Sequence, residues 1–422
     1  MRKEGNPEPP LAPHSSSFSP GVRVLFVLTR LDVGGLEHQA LELTSRLASR
    51  GIAPQVVALR GPGALTESFR ERGVPVHELG RRRSKWGVGV PVRLARLIRR
   101  WQPQVVYTFG CGDALFWGGT LARMVPLRQA PFGFAQGRQG KPGRRTVVAA
   151  IHSMRPGMLG RLAARAARRA DAVVALAETH AQFLAERYAI PRGKLAVIPN
   201  GVDLELFRPD GDGASFDSAQ DRSARARLGL PEQGFLVGAV GRLHPLKGMD
   251  VLCHAAASVL RHLPTVRFAI IGEGPQRAEL EGLVRESRVE ARVHFLGRRS
   301  DVAELLPAFD LFALPSRSEA LPMAVMEAMA CGRPVVASAV GCVPELVEHG
   351  VTGLCVPADD AERLAEAIVE LASDPTRARE MGREGRRRAE ERFNIEQAVE
   401  STAQLLECAI GRAQHAVPLL PR

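Results

Sequence analysis

The stretch Ser318-Glu319-Ala320-Leu321-Pro322-Met323-Ala324-Val325-Met326-Glu327 sets two carboxylates in a frame with seven residues between them. It follows the apolar run Leu311 to Leu314 and leads into the helix-like Pro322 to Ala330. A short apolar run, a turn and then a helical pattern read as a buried strand feeding a helix. Upstream, Gly241-Arg242-Leu243-His244-Pro245-Leu246-Lys247-Gly248 follows a second apolar run, Phe235 to Val240. Two cations just after one strand and two carboxylates just after another suit a ligand with a diphosphate at its centre and hydroxyl-rich sugars at both ends. A nucleotide-sugar has that form.

The strand-then-helix unit recurs along most of the chain, which predicts an α/β protein with parallel sheets. Val22 to Leu28 reads as the first strand, followed by Gly34-Gly35-Leu36-Glu37 and a helix to Arg50. Further strands are predicted at 55–59, 104–107, 146–151, 172–175 and 195–198, and the strand ending at Ile151 delivers His152 to its C-terminal end. Pro199-Asn200-Gly201-Val202-Asp203 is turn chemistry where the chain leaves a first domain. A second set of strands follows at 235–240, 266–271, 293–296, 311–314 and 334–337. The organisation read here is a polar tail over 1–20, an N-terminal Rossmann-like domain over 21–200 and a linker over 201–230. A C-terminal Rossmann-like domain covers 231–392, and a helix over 393–422 returns toward the first domain. Two low-complexity insertions, about 128–145 and about 211–224, share the pattern F-x-x-A-Q-x-R and read as surface loops.

At 422 residues, 45% apolar and 24% charged, the composition is that of a globular protein with two domains. No apolar run reaches the roughly 18 residues that span a bilayer. The tail lacks the apolar core of a secretory signal, so a cytoplasmic location is expected. The six cysteines form no C-x-x-C pair and read as free thiols. Asp210-Gly211-Asp212 resembles a D-x-D metal motif but lies beside an insertion and reads as a solvated turn, so no metal site is expected. Residues 1–200 hold 31 Lys and Arg against 12 Asp and Glu, whereas residues 201–422 hold 26 against 33. A basic first half points to an anionic partner or to solubility alone. Nucleic acid fits poorly, because no binding signature accompanies the charge.

Arg242 and Lys247 sit in a loop entering a helix, at the strand edge where doubly wound sheets bind ligands. Helix starts there favour phosphate, and two cations add charge-assisted hydrogen bonds. A carboxylate accepts two hydrogen bonds from a vicinal diol, so Glu319 and Glu327 can each hold a sugar ring. Free amides near Ala320, Leu321 and Met323 can bind a phosphate oxygen. A lone Glu on a helix is ordinarily solvated. Here Leu321, Met323, Val325, Met326 and Met329 surround it, and a buried idle carboxylate is costly.

Taken in order, Gly34-Gly35-Leu36-Glu37, Val197-Ile198-Pro199-Asn200-Gly201-Val202-Asp203, Gly241-Arg242 with Lys247-Gly248, Gly272-Glu273-Gly274-Pro275, Glu319 with Glu327, and Gly341-Cys342-Val343-Pro344-Glu345 resemble the retaining glycosyltransferases of family 4. The resemblance spans about residues 21 to 410. It implies the GT-B fold, two Rossmann-like domains with parallel sheets facing across a cleft. It further implies metal-independent transfer of a sugar from a nucleotide-diphosphate sugar to an acceptor hydroxyl with retained anomeric configuration. No cofactor beyond that donor substrate is implied. Arg242 and Lys247 would clamp the diphosphate, Glu327 the ribose and Glu319 the sugar hydroxyls. Gly34 and Gly35 would approach from the other domain, and Gly272, Ala320 and Leu321 would complete the donor site. His152 would contact the sugar near its anomeric carbon. Ala320 and Cys342 depart from the family, where glycine is usual. The first narrows the approach to the donor and the second puts a local turn in doubt.

By the same resemblance the acceptor meets the N-terminal domain, which carries Arg81-Arg82-Arg83-Ser84-Lys85-Trp86 and Arg93, Arg96, Arg99, Arg100 and Trp101. Interfacial tryptophan among cations suits an anionic membrane surface and a lipid-linked glycan acceptor, in polysaccharide or glycolipid synthesis. A plain solvated helix face fits those residues equally. Rival readings are a nucleotide-sugar 2-epimerase of the same architecture and a non-catalytic nucleotide-sugar sensor.

Overall fold

The computed structural model describes residues 21–80, 89–127, 144–155, 157, 159–209, 225–226, 229 and 233–414. The N-terminal tail, the Arg81–Trp86 stretch, Asp210-Gly211-Asp212 and nearly all of both insertions lie outside the described residues.

The first domain is built on strands β1 (Val22–Leu28), β2 (Ile52–Ala58), β3 (Val76–Glu78), β4 (Val105–Phe109), β5 (Thr146–Ala150), β6 (Ala172–Ala175) and β7 (Leu195–Val197). They form a seven-stranded sheet in the order β3-β2-β1-β4-β5-β6-β7, parallel throughout. The second domain uses β8 (Leu236–Val240), β9 (Arg267–Ile271), β10 (Val293–Phe295), β11 (Leu311–Leu314), β12 (Val335–Ser338) and β13 (Gly353–Val356). Its six-stranded parallel sheet runs β10-β9-β8-β11-β12-β13. β4, β5 and β11 are buried along their whole length, as strands covered by helices on both faces must be. Each sheet therefore has the doubly wound form. Strand order reverses at β1/β4 and at β8/β11, which opens a crevice beyond the C-terminal strand ends.

The edge strands β3 and β13 are not visible in the hydrophobic pattern. Each pairs with one neighbour only and is three or four residues long, and Gly353 and His77 break the apolar run. The end of the first insertion also differs from the sequence reading. Arg145 is buried, and its guanidinium donates to the carbonyls of Pro103 (2.7 Å), Ala122 (3.2 Å) and Val125. Arg144 pairs with Asp171, so the fold resumes before residue 145. Just past the second insertion, Arg225 is likewise buried and bonds Asp310 at 2.7 Å. A charged, unpatterned segment can end on a buried arginine when carbonyls and a carboxylate await it.

The chain crosses between domains twice, and the two crossings lie side by side. Val202 donates to the Phe393 carbonyl at 2.7 Å, and Ile395 donates to the Val202 carbonyl at 3.0 Å. Helix Ile395–Gln414 then packs its Ile395, Val399, Leu406 and Ala409 into the core of the first domain. Gly201 sits in the crossing, its amide bonded to the buried Gln39 side chain at 3.1 Å. A Cβ there would fall 2.4 Å from the Ile395 α-carbon. The variant Gly201→Ala is therefore predicted to lose about 1–3 kcal/mol, as overpacked sites do. A urea titration reads this as a lowered midpoint, and an unchanged midpoint refutes the contact.

Candidate active site

Each motif singled out in the sequence lands at a C-terminal strand end. Gly34 and Gly35 follow β1, His152 follows β5, the Gly241–Gly248 loop follows β8, Gly272 follows β9, Glu319 follows β11 and Gly341 follows β12.

The cation loop is shaped by close backbone contact. Gly272 has φ +148°, and a Cβ on it would lie 1.8 Å from the Gly241 carbonyl oxygen, so only glycine fits. Gly272 thus supports the neighbouring loop from beneath. Gly241 donates to Ile271 and Leu243 donates to Glu273, each at 3.0 Å. A 3-10 turn at Pro245–Lys247, capped by the His244 ring at 3.3 Å, then presents Lys247. Its Nζ lies 2.6 Å from Glu319 Oε1, and the Ser316 hydroxyl donates to the same oxygen at 2.7 Å. One cation and one carboxylate of the two loops are thus in direct contact.

Arg317 and Asp250, which the sequence reading did not single out, hold these loops together. Arg317 donates to both Asp250 oxygens (2.8 and 2.6 Å), to the Pro245 carbonyl (2.6 Å) and to Asp359, while its own amide bonds Leu246 at 2.9 Å. Burial alone would raise the Asp250 carboxyl. Hydrogen bonding and charge from Arg317 outweigh it and hold the group below its ordinary range. The available signal was one opposite charge in each motif loop.

Helix Met323–Ala330 begins after Pro322 and carries Glu327 at its middle, half-buried among Val325, Met326 and Met329. Burial raises its carboxyl to about 7, and no described side chain offsets that with a hydrogen bond. Leu321 is buried, and its carbonyl receives the Asn200 side chain at 3.4 Å. Ala320 gives its carbonyl to the Cys342 amide at 3.1 Å. The turn at Cys342 is unstrained, because Gly341 takes the positive φ (+56°) and Cys342 rests at φ −93°.

The first domain supplies the opposite wall. Gly34 is extended at the start of helix Gly35–Leu47, and a Cβ on Gly35 would touch Met323 Cγ at 3.0 Å. The glycine loop therefore meets the helix that holds Glu327. Glu37, in the first turn, is raised by burial and by Asp32, and partly relieved by its own amide and by Arg242 from the other domain. Arg242 is exposed toward that gap. His152 stacks on Phe109 at 5.2 Å, and its Nε2 is buried with no partner among the described residues. Burial, with His180 nearby, lowers it to about 3, so the ring is neutral at physiological pH. Among the described residues no three His, Cys, Asp or Glu side chains are grouped to hold a metal ion.

The arrangement joins Lys247 to Glu319, sets the glycine loop against the helix that carries Glu327, brings Arg242 near Glu37, and leaves a neutral imidazole at the end of β5. Known proteins share the fold. The solved structure of the Anabaena protein HepE with UDP-glucose superposes with a TM-score of 0.78 at 24% identity, covering 92% of this chain and 99% of that one. Sucrose-phosphate synthase from Thermosynechococcus elongatus gives 0.72 at 24%, covering 92% and 99%. D-inositol 3-phosphate glycosyltransferase of Segniliparus rotundus is 39% identical over 226 residues, 51% of this chain and 47% of its own length. The Mycobacterium leprae counterpart is 40% identical over 209 residues, 48% and 46%. The match thus spans about half the length of these curated relatives. Residues 33–206 match the family described as Glycosyltransferase Family 4, and residues 220–388 match Glycosyl transferases group 1. The chain belongs to the family 4, group 1 glycosyltransferases, of GT-B architecture.

Proposed function

We propose that this protein transfers a glycosyl group from a nucleotide-diphosphate sugar to an acceptor hydroxyl, with retention and without a metal ion. The observation that carries the reading is the meeting of Lys247 with Glu319, beside the contact of Gly35 with Met323 at the start of the Glu327 helix. In this reading Lys247 and Arg242 take the diphosphate and stabilise its charge as the glycosidic bond breaks. Glu319 orders the sugar hydroxyls and Glu327 the ribose diol. The neutral His152 ring offers a hydrogen bond near the anomeric carbon without adding charge. The acceptor hydroxyl passes its proton to the departing phosphate on the same face. UDP and UDP-glucose in structural neighbours support a uridine donor.

The acceptor side carries a second observation. Helices Gly89–Trp101 and Arg161–Arg169 share one face of the first domain and contain no acidic residue. Arg93, Arg96, Arg99, Arg100, Arg161, Arg165 and Arg169 are exposed there, beside Val92 (47% exposed), Leu162 (61%) and Met124 (70%). On the opposite face Arg46, Arg50, Arg70 and Arg72 pair with Glu42, Glu67, Glu78, Asp203, Glu396 and Glu400. Unmatched cations among exposed apolar groups fit an anionic membrane, and with it a lipid-linked glycan acceptor. No helix among the described residues is long and apolar enough to cross a membrane.

Four outcomes follow. A matching UDP-sugar raises the melting temperature of the wild type, by linkage about 2.7 kcal/mol at a hundredfold excess over Kd. Because burial keeps a proton on Glu327 below about pH 7, the diol is held best above that pH. Donor affinity then falls up to about tenfold per pH unit below it. Glu327→Gln flattens the profile, and a wild type already flat from pH 5 to 8 refutes the role. Lys247→Ala lowers kcat by about 10²–10³, the usual cost of losing one group that stabilises developing charge, and product mass spectrometry under saturating donor measures it. Vesicles containing anionic lipid sediment the protein at low salt, and the triple change Arg96→Glu, Arg99→Glu, Arg100→Glu abolishes that. Equal sedimentation with neutral vesicles rules the membrane face out.

A further inference from the structure

The segment Gly341–Glu345, just after β12, contacts the donor loop and the opposite domain at once. On one side it lies against the Glu319 loop. The Cys342 amide bonds the Ala320 carbonyl at 3.1 Å, and a Cβ on Gly341 would fall 1.9 Å from the Glu319 carbonyl oxygen. On the other side Cys342 Sγ lies 3.3 Å from Met154 Sδ, two positions beyond His152. At its end the Glu345 carboxylate accepts the backbone N–H of Thr179 at 2.7 Å and of Glu178 at 3.1 Å. These residues open helix Glu178–Tyr188 of the first domain. First-turn amides have no acceptor within their own helix, so a carboxylate from the other domain satisfies two of them. The same helix carries His180, whose Nδ1 accepts the Leu176 amide at 3.2 Å and whose ring is an electrostatic neighbour of His152.

Glu345 is itself held from behind. Arg388 donates to the carbonyls of Glu345 (2.9 Å) and Leu346 (3.0 Å), which fixes the segment to its own domain. Opening the cleft would then separate the carboxylate from residues 178 and 179 and leave its backbone in place. Charge-assisted hydrogen bonds are strong, yet water replaces them on opening, so the contact is reversible.

We propose that Glu345 is a positioning residue, an interdomain latch that couples the Glu319 loop to the His152 wall when the cleft closes. The proposal rests on the glycosyl-transfer reading for its effect on rate, but not for its effect on shape.

The test uses full-length protein with UDP as the probe. Glu345→Gln keeps the shape and removes the charge. Glu178→Pro removes one of the two donors from the other side, at a first helical position that tolerates proline. Both variants should bind UDP within about twofold of wild type, a difference near 0.4 kcal/mol. Both should show a larger radius of gyration by small-angle X-ray scattering with UDP bound. Their kcat for sugar transfer should fall about tenfold to a hundredfold, the scale of a misplaced reacting group. Combining them should add little to either alone, because both remove one contact. Wild-type radius and kcat in both variants overturn the latch, as do fully additive effects. A UDP affinity lost in step with kcat overturns it too, since that marks a direct donor contact. If the wild type transfers no sugar, the glycosyl-transfer reading fails, while the scattering comparison still decides the latch.

Discussion

Two backbone hydrogen bonds set the geometry on which everything else in this molecule depends. Val202 and its partners Phe393 and Ile395 bind the outgoing and returning crossings into one strip. A single covalent linker would let two Rossmann-like domains tumble as separate bodies. Here both crossings are joined and the last helix is built into the first core, so the strip ties the two domains together. The two crevices beyond the C-terminal strand ends therefore face one another. Neither crevice alone holds a complete set of groups, for the carboxylates and lysine come from one sheet and the imidazole and glycine loop from the other.

The electrostatics follow the same division. In the second domain, charge is organised by pairing: Arg317 with Asp250, Lys247 with Glu319, Arg225 with Asp310. In the first, the helices on one face leave their arginines in water, while those facing the returning helix are neutralised. The first domain thus has one basic helical face and one face whose arginines pair within its own chain.

Much of this was legible in the sequence. Periodicity and turn residues placed the central strands, because a strand buried on both faces must be continuously apolar, as in Leu311–Leu314. The two-domain GT-B architecture and the family followed from ordered motifs. The edge strands β3 and β13 escaped, since a strand with one neighbour needs no apolar run. Arg145 and Arg225 escaped because arginine beside low-complexity sequence looks solvated until the carbonyls that receive it are seen. Arg317 and Asp250 lie 67 positions apart, and only folding reveals that they share one bidentate contact. Glu345 was quoted as part of a motif, but its target is the start of a helix in the other domain, and backbone amides leave no mark on a sequence.

The contact between Lys247 and Glu319 bears on which solutes could compete for the lysine. A lone anion such as inorganic phosphate can take the lysine only by stripping it from the glutamate. It then strands a carboxylate that is only 9% exposed beside itself, with Ser316 as its remaining hydrogen-bond donor. A sugar diphosphate replaces both halves together, phosphate for carboxylate at the lysine and hydroxyls for ammonium at the glutamate. On the proposed reading, the self-neutralised pair would act as a chemical sieve. It would disfavour small anions and yield to a molecule that carries charge and hydroxyls at the right separation.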